Sequence, residues 1–409
     1  MDLIFDKKHV IKGFRLFVLL SLLGFAIVFF FTTTTESLKA FFSFKKNYIF
    51  LALFLVLVDF FLGGLRIHVF FTKEVLKKVS LLDCIKANLA NIFLAAVTPS
   101  NTGGGPAQLY ILTRKGAPFS GAMSVSLINF FSSLLFFLIS FSLVFLFTNE
   151  GVFSSGITYL VKYSFLLFSI FSILATFILL KPESLGFLFR ILTRITVKVW
   201  KKNKEKGEKI AEKLKDQVVQ FRFYLRHFIY KEKLILFVSF VLTIMIYLNK
   251  YLIAYVIIRG LGLNVELSQV IYLQVIQFFL LYFSPTPGAS GIAEVSSVSL
   301  MSTILPVSHL TAFAILWRFF VTYIGVGVGA WITFKDLNQF FKEKQMQVGD
   351  TALRPFDKLR VLSGVEAQAQ GGDSSASLTV PEQGRRERSR TTKGGDEKLP
   401  QKPQLASFD

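Results

Sequence analysis

The chain contains one cysteine, Cys84, and four histidines, at 9, 68, 227 and 309. One cysteine excludes an intramolecular disulfide and a multi-cysteine metal site, and the scattered histidines lack metal-ligand spacing. Charge is scarce as well. Only 18% of the 409 residues are Asp, Glu, Lys or Arg, whereas a soluble surface needs about 25–35%. That shortage argues against a water-soluble enzyme, and equally against a disordered or fibrous chain. Acids are the scarcer sign, 26 against 46 bases, for a formal net charge of +20. Catalytic signatures are missing too. The glycine run at 103–105 is not followed by the Gly-Lys-Ser/Thr ending of a phosphate-binding loop, and there is no Gly-x-Ser-x-Gly elbow. No catalytic residue, metal or cofactor is assigned.

What is abundant is apolar length. Hydrophobic residues make up 53% of the chain, 48 of them phenylalanine, and mean hydropathy is +0.55. A membrane-crossing helix needs about 20 mostly apolar residues. Six segments meet that test: Gly13–Phe31, Tyr48–Phe71, Phe119–Phe147, Ile157–Leu180, Leu234–Ile258 and Leu310–Phe334. The first is too long, and lacks the small-residue cleavage site, for a removable signal peptide. The fold class is therefore an all-α polytopic membrane protein.

Two further apolar segments are broken. Leu81–Val97 runs into Thr98-Pro99-Ser100-Asn101-Thr102-Gly103-Gly104-Gly105-Pro106, and Leu267–Phe283 runs into Ser284-Pro285-Thr286-Pro287-Gly288-Ala289-Ser290-Gly291. Neither Gly-Gly-Gly-Pro nor Pro-Thr-Pro-Gly continues a helix. The Lys181–Lys233 loop carries fifteen bases against six acids, and the 148–156 loop carries no base. Positive loops stay in the cytoplasm. All the charged loops agree when 81–113 enters and leaves on one side and 267–305 is a hairpin from the other. The expectation is six full spans plus two opposed re-entrant hairpins, an arrangement that fits an inverted repeat, with N-terminus and tail in the cytoplasm. A transmembrane domain over 1–349 would precede a disordered polar tail at 350–409, which has ten basic and nine acidic residues.

Within the basic loop, Leu185, Leu188, Leu192, Ile195 and Val199 recur at helical spacing, as do Ile210, Leu214, Val218, Phe221 and Leu225. This pattern is read as two amphipathic helices on anionic lipid rather than a nucleic-acid site.

Irregular backbone at membrane depth is tolerated where it is buried in protein or lines a wet cavity, and paired interrupted segments point to a transporter site. Each break precedes a short helix, and the expected site gathers around both. Amides at Gly104, Gly105 and Ala107, and from Gly288 to Ile292, would form anion-binding ends, with Pro106 at the first helical position and Gln108 orienting a phosphate. The competing reading is that the glycines only permit close helix packing. Glu294 follows Gly291 in the first helical turn, where the dipole favours a carboxylate, and Arg318 in the last span is its expected partner. Asp59 in the second span has Arg66 seven residues on, along the same face; Lys250 and Lys162 are long enough to snorkel.

The stretches Thr98–Gln108 and Ser284–Glu294 resemble the two signatures of the flippase-like family named for the transmembrane region of lysylphosphatidylglycerol synthase. The likeness covers roughly residues 10–340, and Arg318 fits it. The expected site therefore includes Pro287, Gly288, Gly291 and Glu294 in one hairpin, Arg318 in the last span, and Gly103, Gly104, Gly105 and Gln108 in the other hairpin. The likeness also implies that the chain moves a polar-headed lipid, anionic or polyprenyl-phosphate-linked, across the cell membrane, with a lipid-modifying enzyme as a candidate partner and no nucleic acid. Full-length synthases carry a soluble aminoacyl-transferase domain, and the residues after 350 are too few and too polar to match it. Two alternatives stand beside this reading: a membrane enzyme using Glu294 as acid or base on a lipid head group, and a non-catalytic subunit that positions a partner.

Overall fold

A computed structural model describes residues 7–32, 35–72, 75–76, 78–147, 204–282, 284–336 and 338–339, with scattered positions between 165 and 176. The expected fourth span lies mostly outside these residues, as do the first amphipathic helix of the basic loop and the polar tail. No strand occurs among the described residues. The protein is an all-helical, multi-pass membrane protein.

Five helices are long and apolar enough to cross a bilayer. They are α1 (Lys7–Thr32), α3 (Lys46–His68, extended by a tight turn through Phe71), α6 (Phe119–Phe147), α8 (Lys233–Gly260) and α11 (Val307–Asp336). Each matches an expected span. Between them lie α2 (Thr35–Phe42), α4 (Leu81–Ala96), α5 (Gly104–Arg114), α7 (Lys204–Arg226), α9 (Leu267–Tyr282) and α10 (Ile292–Met301). At about 1.5 Å per residue, none of α4, α5, α9 or α10 reaches across a hydrocarbon core of about 30 Å.

The four short helices form two hairpins. Ser80 caps α4, and Asp83 in its first turn lies 3.6 Å from Lys115, just past the end of α5. Midway along, Asn91 donates to Gln108 at 3.0 Å, and at the tip the Gly103 amide donates to Thr98 Oγ1 at 2.8 Å. The mouth of this hairpin is therefore at one end of the bundle, the end where α3 finishes and where Arg114 reaches the Asp336 carbonyl at 2.9 Å. The second hairpin opens at the other end. There Lys45 donates to the Gly260 carbonyl at 3.0 Å, and α2 packs against α11 just after the hairpin closes. The two tips meet inside the bundle.

Close approach between helices depends on small residues. Gly63 and Gly64 of α3 sit directly against Asn88 and Ile85 of α4, leaving no room for a side chain at either position. The charge-free α6 carries serines whose hydroxyls fold back onto carbonyls one turn earlier, as Ser132 does on Ile128 at 2.9 Å, so they present no unpaired polar group to lipid.

Helix α7 departs from the surface role expected for it. Phe221 and Leu225 are buried in the core, Ser124 of α6 donates to the Phe221 carbonyl at 3.3 Å, and Ser120 donates to Gln217 at 2.6 Å. The last two positions of the expected stripe, Phe221 and Leu225, thus bury against protein. The serines of α6 satisfy the polar groups that would otherwise face the interface.

Candidate functional site

Backbone strain marks the tips. The three non-glycine residues with positive φ among the described residues are Ser100 (51°) and Asn101 (56°) in the first tip and Ala289 (56°) in the second. Gly288 (57°) and Gly291 (84°) join them. Left-handed backbone of this kind is costly for residues with a Cβ and clusters where function demands a particular path. Gly288 is fixed twice over: a Cβ there would meet Phe17 at 2.7 Å and the Ala96 carbonyl of the opposite hairpin at 3.0 Å.

Glu294 is wholly buried and Arg318 is 2% exposed. Arg318 Nε donates to Glu294 Oε1 at 2.9 Å, while its Nη1 reaches Thr322 and its Nη2 the Gly288 carbonyl, each at 3.1 Å. Oε2 of Glu294 accepts from the Gly291 amide at 2.7 Å, the back-reaching half of a capping box that also stabilises the start of α10. One ion pair thus ties the tip of the second hairpin to the last span. Immediately after Arg318 the helix loosens into a π turn, Phe319–Tyr323, a local irregularity frequent at functional sites. The Tyr323 ring lies 5.6 Å from the guanidinium carbon.

The amides of the two tips differ in what they have left to offer. In the second, Ala289 donates to Thr286, Ser290 to Pro287 and Gly291 to Glu294. In the first, Ala107 donates to Gly103. Helix α5 begins at Gly104, so Pro106 is its third residue, not its first. Gly104 and Gly105 hold the first-turn amides that lack an intrahelical acceptor, and a Cβ on Gly105 would touch nothing within 4 Å. Gln108 is buried and engaged on both sides, accepting from Asn91 at 3.0 Å and donating to Ser126 of α6 at 2.9 Å. It ties the first hairpin to α6.

Sequence reasoning passed over α1. Its buried face, Phe17, Ser21 and Gly24, runs along both tips. Gly13 sits against Val97, Phe17 against Gly288, and Ser21 Oγ lies 2.9 Å from Ser290 Oγ. A Cβ on Gly24 would come within 3.0 Å of Gly291 Cα and 3.2 Å of Glu294 Oε2. The signal was present as small residues at helical spacing. Also passed over were Gln274, which accepts from Trp317 at 3.1 Å, and Gln277, which accepts from Gln274 at 2.8 Å. The Trp317 bond tethers α9 to α11, and Gln277, one turn on in α9, holds the Gln274 amide in place. Beside the second tip lies an apolar groove of about 530 Å³ bounded by Ile27, Leu280, Gly291, Ile292, Val295 and Leu300.

The pairing expected for Asp59 is corrected. Asp59 joins Lys250 of α8 at 2.7 Å, not Arg66. Residues seven apart on one helix are about 10.5 Å apart along its axis, too far for a direct contact, whereas α8 packs alongside α3 and its lysine reaches across. Lys250 does not snorkel. Lys162 lies outside the described residues.

The model of the lysylphosphatidylglycerol synthase TM region matches residues 17–329. The chain belongs to that family. The match takes in both hairpins, Glu294 and Arg318, and stops within the last helix. A UPF0104 membrane protein from Archaeoglobus fulgidus is 26% identical over 262 residues, covering 62% of this chain and 76% of the archaeal protein. No solved structure shows significant similarity. Membership identifies a lipid-related membrane protein.

Proposed function

We propose that this member of the family translocates a polar-headed, phosphate-containing lipid between leaflets of the cell membrane, without covalent chemistry. The observation that carries the reading is the Glu294–Arg318 pair, buried where two hairpins from opposite ends of the bundle meet. A carboxylate and a guanidinium at that depth neutralise each other, and each stabilises only the partner arrangement that keeps it paired. Arg318 also holds the Gly288 carbonyl, so shifting the pair shifts the tip. The pair is a latch between two access states.

The head-group phosphate is bound at the positive end of α5, at the first-turn amide of Gly105, which has open space beside it, with Gly104 buried behind it against Asn91. The groove beside Gly291 takes the apolar chain of the same lipid. The end of the bundle that carries Arg114 and Lys115 faces the cytoplasm, and the charge of the Lys181–Lys233 sequence assigns that loop and both termini to the same side of the membrane. Energy comes from a gradient or from mass action, and a lipid-modifying enzyme is the expected partner.

A reversible lock tests the reading. Cysteines replacing Ser21 and Ser290, whose hydroxyls are 2.9 Å apart, on a Cys84→Ser background, should stop lipid translocation in liposomes when oxidised and restore it when reduced. Unchanged translocation in the oxidised form would contradict a moving tip.

A further inference from the structure

Arg66 lies far from the hairpin tips in sequence and makes only neutral contacts. Its Nη1 donates to Ser133 of α6 and Thr243 of α8, each at 3.3 Å, long for a charged donor. Its Nε is buried with no hydrogen-bond partner. Among the described residues no carboxylate lies within ion-pair distance of it. Asp59, the nearest acid on its helix, is taken by Lys250 at 2.7 Å, so the group of three carries one uncompensated positive charge. Ser133 lies roughly 21 Å along α6 from its start, which puts this charge well inside the membrane. An arginine at that depth without a counter-charge is costly and marks a ligand or pathway.

We propose that Arg66 anchors a second anion site, in the seam between α3, α6 and α8, for the phosphate-type oxyanion of a lipid head group. The Nε–Nη2 edge is the one with which arginine grips an oxyanion bidentately, and it makes no hydrogen bond among the described residues. The second unpartnered group nearby is complementary. Asp59 Oδ1 is buried and accepts nothing, which suits a hydroxyl or ammonium donor further along the same head group and disfavours a more highly charged ligand. Tyr247 and Tyr282 stand within electrostatic reach of Arg66. Phe136 stacks on Tyr247 at 4.6 Å, and Phe137 lies 5.1 Å from Tyr282, giving the seam an aromatic wall. Tyr282 ends α9, at the base of the second tip, so this site adjoins the latch without sharing a residue with it. The choice of a lipid as the source of the oxyanion rests on the translocation reading; the oxyanion site itself does not.

The full chain in nanodiscs of phosphatidylcholine, titrated with phosphatidylglycerol, provides the test, with binding followed by native mass spectrometry and by the thermal midpoint. Wild type should prefer phosphatidylglycerol and be stabilised by it. Arg66→Gln should lose about tenfold in that preference, the equivalent of one charge-assisted hydrogen bond, yet be no less stable than wild type in phosphatidylcholine alone, because it removes an unpaired charge. Should Arg66→Gln fail to insert, Arg66→Lys keeps the charge, loses the bidentate edge, and should still bind more weakly than wild type. Undiminished preference in either variant would overturn the site, as would equal destabilisation of Arg66→Gln in both lipids. Added inorganic phosphate that displaces the lipid would assign the site to the free ion, and failure to displace would assign it to the head group. If wild type binds but moves no lipid, the transport reading falls and the site stands. If Arg66 variants bind normally while the latch variants lose transport, only the site falls.

Discussion

Arg318 Nη2 donates to the Gly288 carbonyl at 3.1 Å, so the guanidinium that neutralises Glu294 also holds the left-handed tip of the second hairpin. A charge pair and a strained backbone turn are one mechanical unit.

Removing either member of this unit should leave the other buried and unpaired. Glu294→Gln and Arg318→Gln are each expected to destabilise the protein by about 3–5 kcal/mol, and the double substitution by less than their sum. Thermal melts of the three variants in one detergent give the coupling directly; strict additivity would mean that the two side chains do not act together. Arg318→Lys should also be damaging, since an ammonium cannot serve Glu294, Thr322 and Gly288 in the same geometry.

Gly24 and Gly288 test the close approach of α1 to the tip. Gly24→Val adds bulk where a Cβ already lies 3.2 Å from Glu294 Oε2. Gly288→Ala adds a clash with Phe17 to the cost of positive φ, at about 1–3 kcal/mol for the backbone alone. Phe17→Ala should rescue Gly288→Ala only in part, because it relieves the Phe17 clash and leaves both the backbone strain and the close Ala96 carbonyl. Complete rescue would show that neither the positive φ nor the Ala96 carbonyl constrains this position.

How much of this was legible in the sequence depends on what kind of residue carried it. Pro99, the Gly103–Gly105 run, Pro285, Pro287 and Gly288 do not continue an α-helix that precedes them, so the two breaks stood out, and base-rich loops suggested how the spans run around them. Glu294 and Arg318 were visible because charges in apolar segments are rare. The α1 face was not, because Gly13, Ser21 and Gly24 look like ordinary membrane-helix residues until a neighbour is known. Asp59 was paired with the wrong base for a related reason. Periodicity within one helix shows which residues share a face, while the Lys250 partner comes from the packing of α8 against α3.

The corrected pairing predicts a specific cycle. Asp59→Asn and Lys250→Gln should each destabilise, with substantial coupling between them, whereas Asp59→Asn and Arg66→Gln should couple more weakly. Coupling of Asp59 to Arg66 as strong as to Lys250 would restore the same-helix pairing.

The mouth of the first hairpin should respond to acid. Burial alone would push the Asp83 carboxyl up, but its bonds to Ser80 and Lys86 and the charges of Lys115 and Lys86 outweigh that, so it sits below the ordinary carboxylate value. A carboxylate lowered in the folded state adds stability above its unfolded pKa and loses it as pH falls through the folded one. The stability gap between wild type and Asp83→Asn should therefore be constant near neutrality and close as the pH drops below about 4. A gap independent of pH would mean that Asp83 does not hold the mouth through its charge.

The central claim is lipid movement through the latch, and the most direct measurement is translocation by purified protein in liposomes containing a head-group-labelled phosphatidylglycerol. A membrane-impermeant quencher should bleach the inner-leaflet label in vesicles holding wild type and leave it protected in empty vesicles. Vesicles with folded Glu294→Gln or Arg318→Gln protein should resemble the empty ones. Protection in the wild-type vesicles equal to that in empty ones, or a native rate in both latch variants, would contradict the account.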